Sequence, residues 1–422
     1  MDRTIILGSK VDLHDGVHGS LVDVPPSGVS FDVRPATHRF LFPDRARRSP
    51  HCDFHFGECV DFGAGPEVVH SARWPVLGRR SWITDMDDFG YPTLVGRALL
   101  NPAVRHLLTD VRGESDMRKR LVNMLAMYVH PSCAAVVFRT HNGLRDAARQ
   151  IADLDAGSAG EQFLYKACVV YPAQPACAHE TLERKWADGQ PLTVVFCGRD
   201  FEAKNGAMAL RIFDLLAERW PKVTFIHVGE VPVEVREAYH RSNVTLLGVV
   251  PRQRVFDTLK AGHILFHPSQ FESVGIVLLE AAASGMAIVV GTGRGMAHVD
   301  ELFGEGGALS VDRDRVTPAD EEVCFSRRLE ALLAAPDVAK CMALDNHREA
   351  DRGRFSMAKR NDAFASLYAR AAEVRSEPLS FDDVPHVKSD AVVSLAALDV
   401  LADQTAFLRQ IGIERRHVNI QV

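Results

Sequence analysis

Two carboxylates interrupt an otherwise apolar stretch, FESVGIVLLEAAASG, at residues 271–285. A carboxylate inside a buried helix is costly unless it is paired or hydrogen-bonded. Glu280 lies within the run and Glu272 just before it. Upstream, HILFHPS (263–269) has the composition of a strand, so the segment predicts strand, turn and helix. Ser273 is the expected N-cap. The helix would then offer unpaired N–H groups and a positive dipole end to an anion such as phosphate. Glu272 would meet whatever is attached to that phosphate. For Glu280 two readings stand: a carboxylate that accepts from the hydroxyls of a diol, or one paired with an Arg or Lys elsewhere.

A second stretch, CGRDFEAKNG at 197–206, also follows a strand and precedes a helix. Arg199 and Lys204 are five residues apart on this loop. Two long cations at a strand's end suit a diphosphate, and the glycines permit close backbone approach. The alternative is a loop that is merely charged and solvated.

Short β-branched runs alternate with helical stretches along most of the chain. Strands are expected at 4–8, 29–33, 67–71, 81–84, 134–140, 168–172, 192–198, 223–229, 243–248, 263–269 and 287–291. Helices are expected at 207–220, 255–262 and 275–284. This alternation predicts parallel sheets with helices on both faces. A Pro/Ala-rich link at 173–190 predicts two doubly wound domains, with ligands held at strand C-terminal ends. The expected division is 1–175, 190–375 and a tail of linker and helix at 376–422.

The 422 residues suit two domains of ordinary size. With 46% apolar and 25% charged residues and a net charge of −6, bulk electrostatics indicate neither a nucleic acid nor a membrane partner. The arginine clusters at 45–48 and 415–417 read as solvated surface. No run is long and apolar enough to span a bilayer, and the N-terminal run is too short for a signal peptide. Eight scattered cysteines then read as reduced thiols in a cytoplasmic protein. His51, Cys52, His55 and Cys59 could be spaced for zinc, but they lack the paired C-x2-C of convincing sites. No metal is expected.

GRDFEAKNG, VTFIHVGE and LLGVVPRQRVFDTLKAGHILFHPSQFESVGIVLLEAAASGMAIVVG occur in this order. Over about residues 190–310 the chain resembles the C-terminal domain of GT-B glycosyltransferases, in particular family 4. The shared features are G-R-x4-K, P-S-x2-E-x2-G, E-x7-E and the small-residue end of the helix. The resemblance implies a GT-B fold, with two Rossmann-like domains facing a central cleft. It also implies retention of anomeric configuration. Arg199, Lys204 and Glu272 would form the catalytic set, the two cations on the donor diphosphate and Glu272 on the donor sugar. The backbone of Ser273, Val274 and Gly275 would also contact the sugar. Glu280 would accept from the ribose, and GVVP (248–251), with Val250, would line the base pocket. One departure is Lys204-Asn205-Gly206, where most members read K-G.

The N-terminal half fits the family less closely. LHDGVHGSL (13–21) resembles its glycine-containing donor-phosphate loop, making Gly16 and Gly19 candidates, although the helix that follows looks shortened. SWITDMDDFGYP (81–92) lies where the family often has T-x-H-D, and the histidine position holds Met86. Three acids in four residues would repel one another unless a cation or hydroxyls lie nearby. Asp87 or Asp88 is the candidate for binding acceptor hydroxyls or amines. Asp85-Met86-Asp87 also spells the D-x-D of a different glycosyltransferase fold, against which the other motifs argue. His141 and His70 end strands and could face substrate; isolated histidines are more often structural.

These features together predict an enzyme that transfers a sugar from a nucleoside diphosphate sugar, a UDP- or GDP-sugar, to a small acceptor in specialised metabolism. The linkage, O-, N- or S-, is open. No cofactor is expected beyond that co-substrate. The tail leaves room for a homodimer. Two other classes are a catalytically silent scaffold subunit and a GT-B enzyme with non-glycosidic coupling.

Overall fold

The computed structural model describes residues 3–40, 58–87, 122, 124–154, 156–270, 272–293 and 296–380. Among these, two compact units divide the chain: one holds residues up to Tyr171 together with those from Arg360 onward, and the other runs from Pro172 to Lys359.

In the first unit, β1 (Arg3–Gly8), β2 (Val29–Val33), β5 (Val69–Ala72), β7 (Trp82–Met86), β8 (Cys133–Phe138) and β9 (Ala167–Val169) form one sheet. Its order is β2-β1-β5-β7-β8-β9 and every pair is parallel. The inner strands β5 and β7 are buried along their whole length, His70, Ser71, Thr84 and Asp85 included. A smaller sheet joins β3 (Thr37–Phe40), β4 (Glu58–Gly65) and β6 (Val76–Arg79).

The helix Met357–Glu373 completes this unit. Phe364, Leu367, Tyr368 and Ala371 recur at helical spacing and pack with Ile5, Ile83 and Val137. Arg360 on the same face is buried, and its guanidinium donates to Ser20 Oγ at 2.9 Å and to the Val24 carbonyl at 2.7 Å. The boundary expected near residue 375 therefore lies at Arg360, because this helix's apolar stripe is buried against the first sheet. Residues 376–380 likewise stay with the first unit. Ser376 Oγ donates to Arg80, and the Leu379 carbonyl accepts from Gly78. The helical tail expected at 392–412 lies outside the described residues.

The second unit has six parallel strands: β10 (Thr193–Cys197), β11 (Thr224–Val228), β12 (Val244–Gly248), β13 (Ile264–His267), β14 (Ala287–Thr292) and β15 (Leu309–Asp312). Their order, β12-β11-β10-β13-β14-β15, is that of a dinucleotide-binding sheet, with the reversal between β10 and β13. Phe196, Phe213, Phe225, Phe266 and Phe325 dominate its core. Each such burial contributes about 1.5–3 kcal/mol relative to exposure. The expected pair of Rossmann-like units is thus present. Among the described residues, no helix is long and apolar enough to cross a membrane.

Candidate functional site

The loop after β10 is shaped by close backbone packing. Gly198 N–H donates to the Val228 carbonyl at 3.0 Å, where β11 runs into Gly229. Gly229 has φ of 129°, and a Cβ there would lie 1.7 Å from the Gly198 oxygen. Asp200 Oδ1 then accepts from the Glu202 and Ala203 amides at 3.1 and 2.9 Å, which closes a turn. Asn205 adopts the left-handed conformation, φ 59° and ψ 42°, and starts the helix Gly206–Arg219. Asparagine tolerates this region better than most residues, so the departure at 205 leaves the turn intact. Lys204, just before it, reaches across to the loop that follows β13.

There Lys204 Nζ meets Glu272 Oε1 at 2.6 Å, and His267 Nε2, from the last residue of β13, meets the same oxygen at 2.8 Å. Burial alone would push the Glu272 carboxyl up. Lys204 and His267 outweigh it and hold the group below the ordinary carboxylate range. His267 is fully buried, and burial keeps its ring neutral against the pull of Glu272. Arg313 anchors the turn from behind. Its guanidinium donates to the Pro268 and Ser269 carbonyls at 2.8 and 2.6 Å and pairs with Glu321 at 2.8 Å.

The helix after this turn spans Ile276–Ala283, and its N-cap is Gly275 at φ 67°. The expectation that Ser273 caps it is corrected: the left-handed bend at Gly275 delays the helix, and no side chain caps it. Val274 and Gly275 are buried and Ser273 is half-buried. On this helix Glu280, only 5% exposed, accepts from Arg252 Nη2 at 2.8 Å. Burial pushes the Glu280 carboxyl up, and the Arg252 charge offsets this only in part. Of the two readings of Glu280, the pairing with an arginine is thus present, and Arg252 itself is partly exposed. Cys197 lies in the same field: burial, then Glu280, push its thiol up to about 12. Arg199 is exposed and makes no ion pair among the described residues, and Val250 is half-buried just before the Arg252–Ala261 helix.

Residues 191–334 match the family model described as "Glycosyl transferases group 1". Most of the second unit is thus similar to group 1 glycosyltransferases. The group 1 match takes in Arg199, Lys204, Glu272 and Glu280. Among curated relatives, the gpi3 subunit of phosphatidylinositol N-acetylglucosaminyltransferase from Schizosaccharomyces pombe is 33% identical over 23% of this chain and 23% of its own length. The alpha-D-kanosaminyltransferase of Streptomyces kanamyceticus is 23% identical over 66% of this chain and 73% of its own. The chain thus spans about a quarter of the first of these relatives. A solved structure of WaaG, described as a glycosyltransferase involved in lipopolysaccharide biosynthesis, aligns at TM-score 0.48 and 14% identity, over 88% of this chain and 99% of that one.

In the first unit, the acids at the end of β7, Asp85 and Asp87, are paired with a cation. Arg139, just beyond β8, pairs with Asp85 Oδ2 and with Asp87 Oδ1, each at 2.8 Å. Asp85 Oδ1 accepts from His18 Nε2 at 3.2 Å, and His18 Nδ1 accepts from the His14 amide. Burial would raise the Asp85 carboxyl, but His18 and Arg139 hold it far below its ordinary range. His70 is buried against the Tyr368 hydroxyl at 2.8 Å, and burial pushes its pKa down to about 4. The D-x-D pattern is therefore an ion-pair network. Among the described residues, no cluster suits a metal. Gly16 lies in the turn Asp15–Gly19, where its amide donates to His14 Nδ1 at 3.0 Å. The short helix Ser20–Asp23 follows, in line with the shortened helix expected. His141 opens the helix His141–Leu154, exposed and edge-on to Tyr171. Asp88, His51, Cys52, His55 and both arginine clusters lie outside the described residues.

Sequence reasoning missed His267, Arg252 and Arg313 as members of the site. His267 carried a readable signal, a histidine ending a strand five residues before the first glutamate. Arg252 and Arg313 carried none, since only the sheet order brings them to β13 and its helix.

Proposed function

We propose that the chain is a retaining glycosyltransferase that moves a sugar from a UDP- or GDP-sugar to a small-molecule acceptor. The observation that carries this reading is the Lys204–Glu272–His267 constellation where β10 and β13 end, with Glu280 about one turn into the next helix. Lys204 and Arg199 stabilise the negative charge that develops on the departing diphosphate. Glu272 and the Ser273–Gly275 backbone hold the sugar. Glu280 takes the ribose hydroxyls, and Val250 borders the base. Gly16 remains a donor-binding candidate, and Asp87, Asp88 and His141 are the acceptor candidates. The bond from the anomeric carbon to the diphosphate oxygen breaks, a bond to the acceptor heteroatom forms, and the acceptor gives up a proton. With Lys204 and Arg199 supplying positive charge to the diphosphate, turnover is expected to survive EDTA.

The match to a protein named as a kanosaminyltransferase, which runs through two thirds of the chain, is in keeping with sugar transfer; a small acceptor, a place in specialised metabolism and a cytoplasmic setting belong to the proposal. A second reading is favoured by the relatives named as subunits of a phosphatidylinositol N-acetylglucosaminyltransferase: the chain would act within an assembly. The test is release of nucleoside diphosphate from a panel of UDP-, GDP-, ADP- and dTDP-sugars, with the anomeric product followed by NMR. Turnover by wild type and its loss in Lys204→Ala support transfer. Absence of turnover with every sugar would favour the subunit reading.

A further inference from the structure

One oxygen of Glu272 carries two donors. Lys204 Nζ and His267 Nε2 both contact Oε1, while Oε2 receives no hydrogen bond from the described residues. His267 Nδ1 is buried and has no hydrogen-bond partner among the described residues. With a carboxylate 2.8 Å from Nε2, the proton of the neutral ring sits on Nε2 and points at Glu272. Lys204 and His267 differ in freedom. Lys204 is a flexible chain with a partly exposed side chain, whereas His267 is fixed at the end of a central strand and is fully buried. A ligand diphosphate can draw Lys204 away; it cannot move His267.

We propose that His267 is a positioning residue, holding the Glu272 carboxylate by Oε1 when Lys204 leaves it for the diphosphate. This rests on the reading that Lys204 binds the donor. The charged and titratable groups around the pair are Lys204 on the β10 loop and Arg313, with its partner Glu321, behind the turn. Glu280 with Arg252 and the Cys197 thiol lie in the same field. Once Lys204 departs, a buried carboxylate without a donor takes up a proton. Protonated Glu272 could still hydrogen-bond, but its orientation toward sugar hydroxyls would no longer be set through Oε1.

Lys204→Met removes the lysine without any ligand, so the test is independent of whether the chain turns over a nucleotide sugar. The carboxyl carbon of Glu272 is followed by NMR in the full-length protein and assigned by comparison with Glu272→Gln. In Lys204→Met, Glu272 is expected to remain ionised at about pH 7. In Lys204→Met/His267→Gln the amide replaces the Nε2 donor and ionisation persists. In Lys204→Met/His267→Leu, which keeps the bulk and loses the donor, Glu272 is expected to be protonated. His267→Asn, whose amide is too short to reach Oε1, stands in if the leucine variant fails to fold. Glu272 still ionised in the leucine or asparagine background overturns the proposal, as does a glutamine variant indistinguishable from leucine. Failure of the transfer reading shows separately, as absence of nucleotide-sugar turnover in wild type.

Discussion

At the scale of single residues, the site is a set of paired charges that a ligand must partly undo. Lys204 is shared between Glu272 and the proposed diphosphate. Lys204→Ala is expected to lower kcat by about 100- to 1000-fold, or about 3–4 kcal/mol, as for loss of one donor to a developing oxyanion. Steady-state kinetics check this, and near-normal turnover would remove Lys204 from the chemistry. Lys204, Glu272 and Glu280, whose side chains the structure pairs, were singled out by their places on the loops after β10 and β13 and on the helix that follows. The arginine paired with Glu280 was not. Arg252 precedes Glu280 by 28 residues and meets it only because the helices Arg252–Ala261 and Ile276–Ala283 lie side by side. His227 is a further residue-scale case. It stacks on Phe196 at 4.4 Å with neither ring nitrogen hydrogen-bonded to another of the described residues, and burial pushes its pKa down to about 4. The unfolded chain holds this proton up to the ordinary histidine range, so between pH 6.5 and 4 unfolding takes up protons. Stability therefore falls as the medium is acidified through that window, by roughly 3 kcal/mol for a fully shifted group. His227→Phe should flatten the decline in thermal melts taken from pH 7 to 4; an unchanged slope would place the acid sensitivity elsewhere.

At the scale of elements, the helix bearing Glu280 is fixed at its far end. Gly285 adopts φ 66°, its amide bonds Ala282, and the Met286 amide bonds Ala281, the pattern of a Schellman stop. Lys185 Nζ donates to the carbonyls of Ser284 and Gly262 at 2.6 and 2.7 Å, so a single lysine ties the ends of two neighbouring helices. Gly285→Ala would bring a Cβ to 2.1 Å from Leu182 in an unfavourable backbone region. It should destabilise the protein by about 1–3 kcal/mol in denaturant titrations. No loss would mean that Leu182 and the turn relax without cost. Most of the parallel strands were readable because each is a compact run rich in apolar residues. The strands β3, β4, β6 and β15 were not. β4 carries Gly63 and Gly65, and the missing Gly65 side chain leaves room for the Arg79 guanidinium, whose Nη1 would lie 2.2 Å from a Cβ there. Such a strand has no apolar alternation to read. β15 is only four residues long and half-buried.

At the scale of the whole molecule, the chain builds its second unit and then returns to complete its first. The helix Met357–Glu373 resembled a continuation of the second Rossmann series, because periodicity reveals an apolar face without saying what covers it. A chain ending at Lys359 should lose protection from hydrogen exchange across β1, β5 and β7. It would forgo the burial of Phe364, Leu367 and Tyr368, each about 1.5–3 kcal/mol. Unaltered protection in those strands would show that the first unit closes without the helix. The central claim, that the second unit is a nucleotide-sugar site, is tested most directly by calorimetric titration of the protein and its Glu280→Ala variant with UDP, GDP, ADP and dTDP. One of the four is expected to bind wild type and to bind the variant at least tenfold more weakly, about 1.4 kcal/mol, with the variant still folded. Binding of none of them, or equal binding to both proteins, would contradict the account.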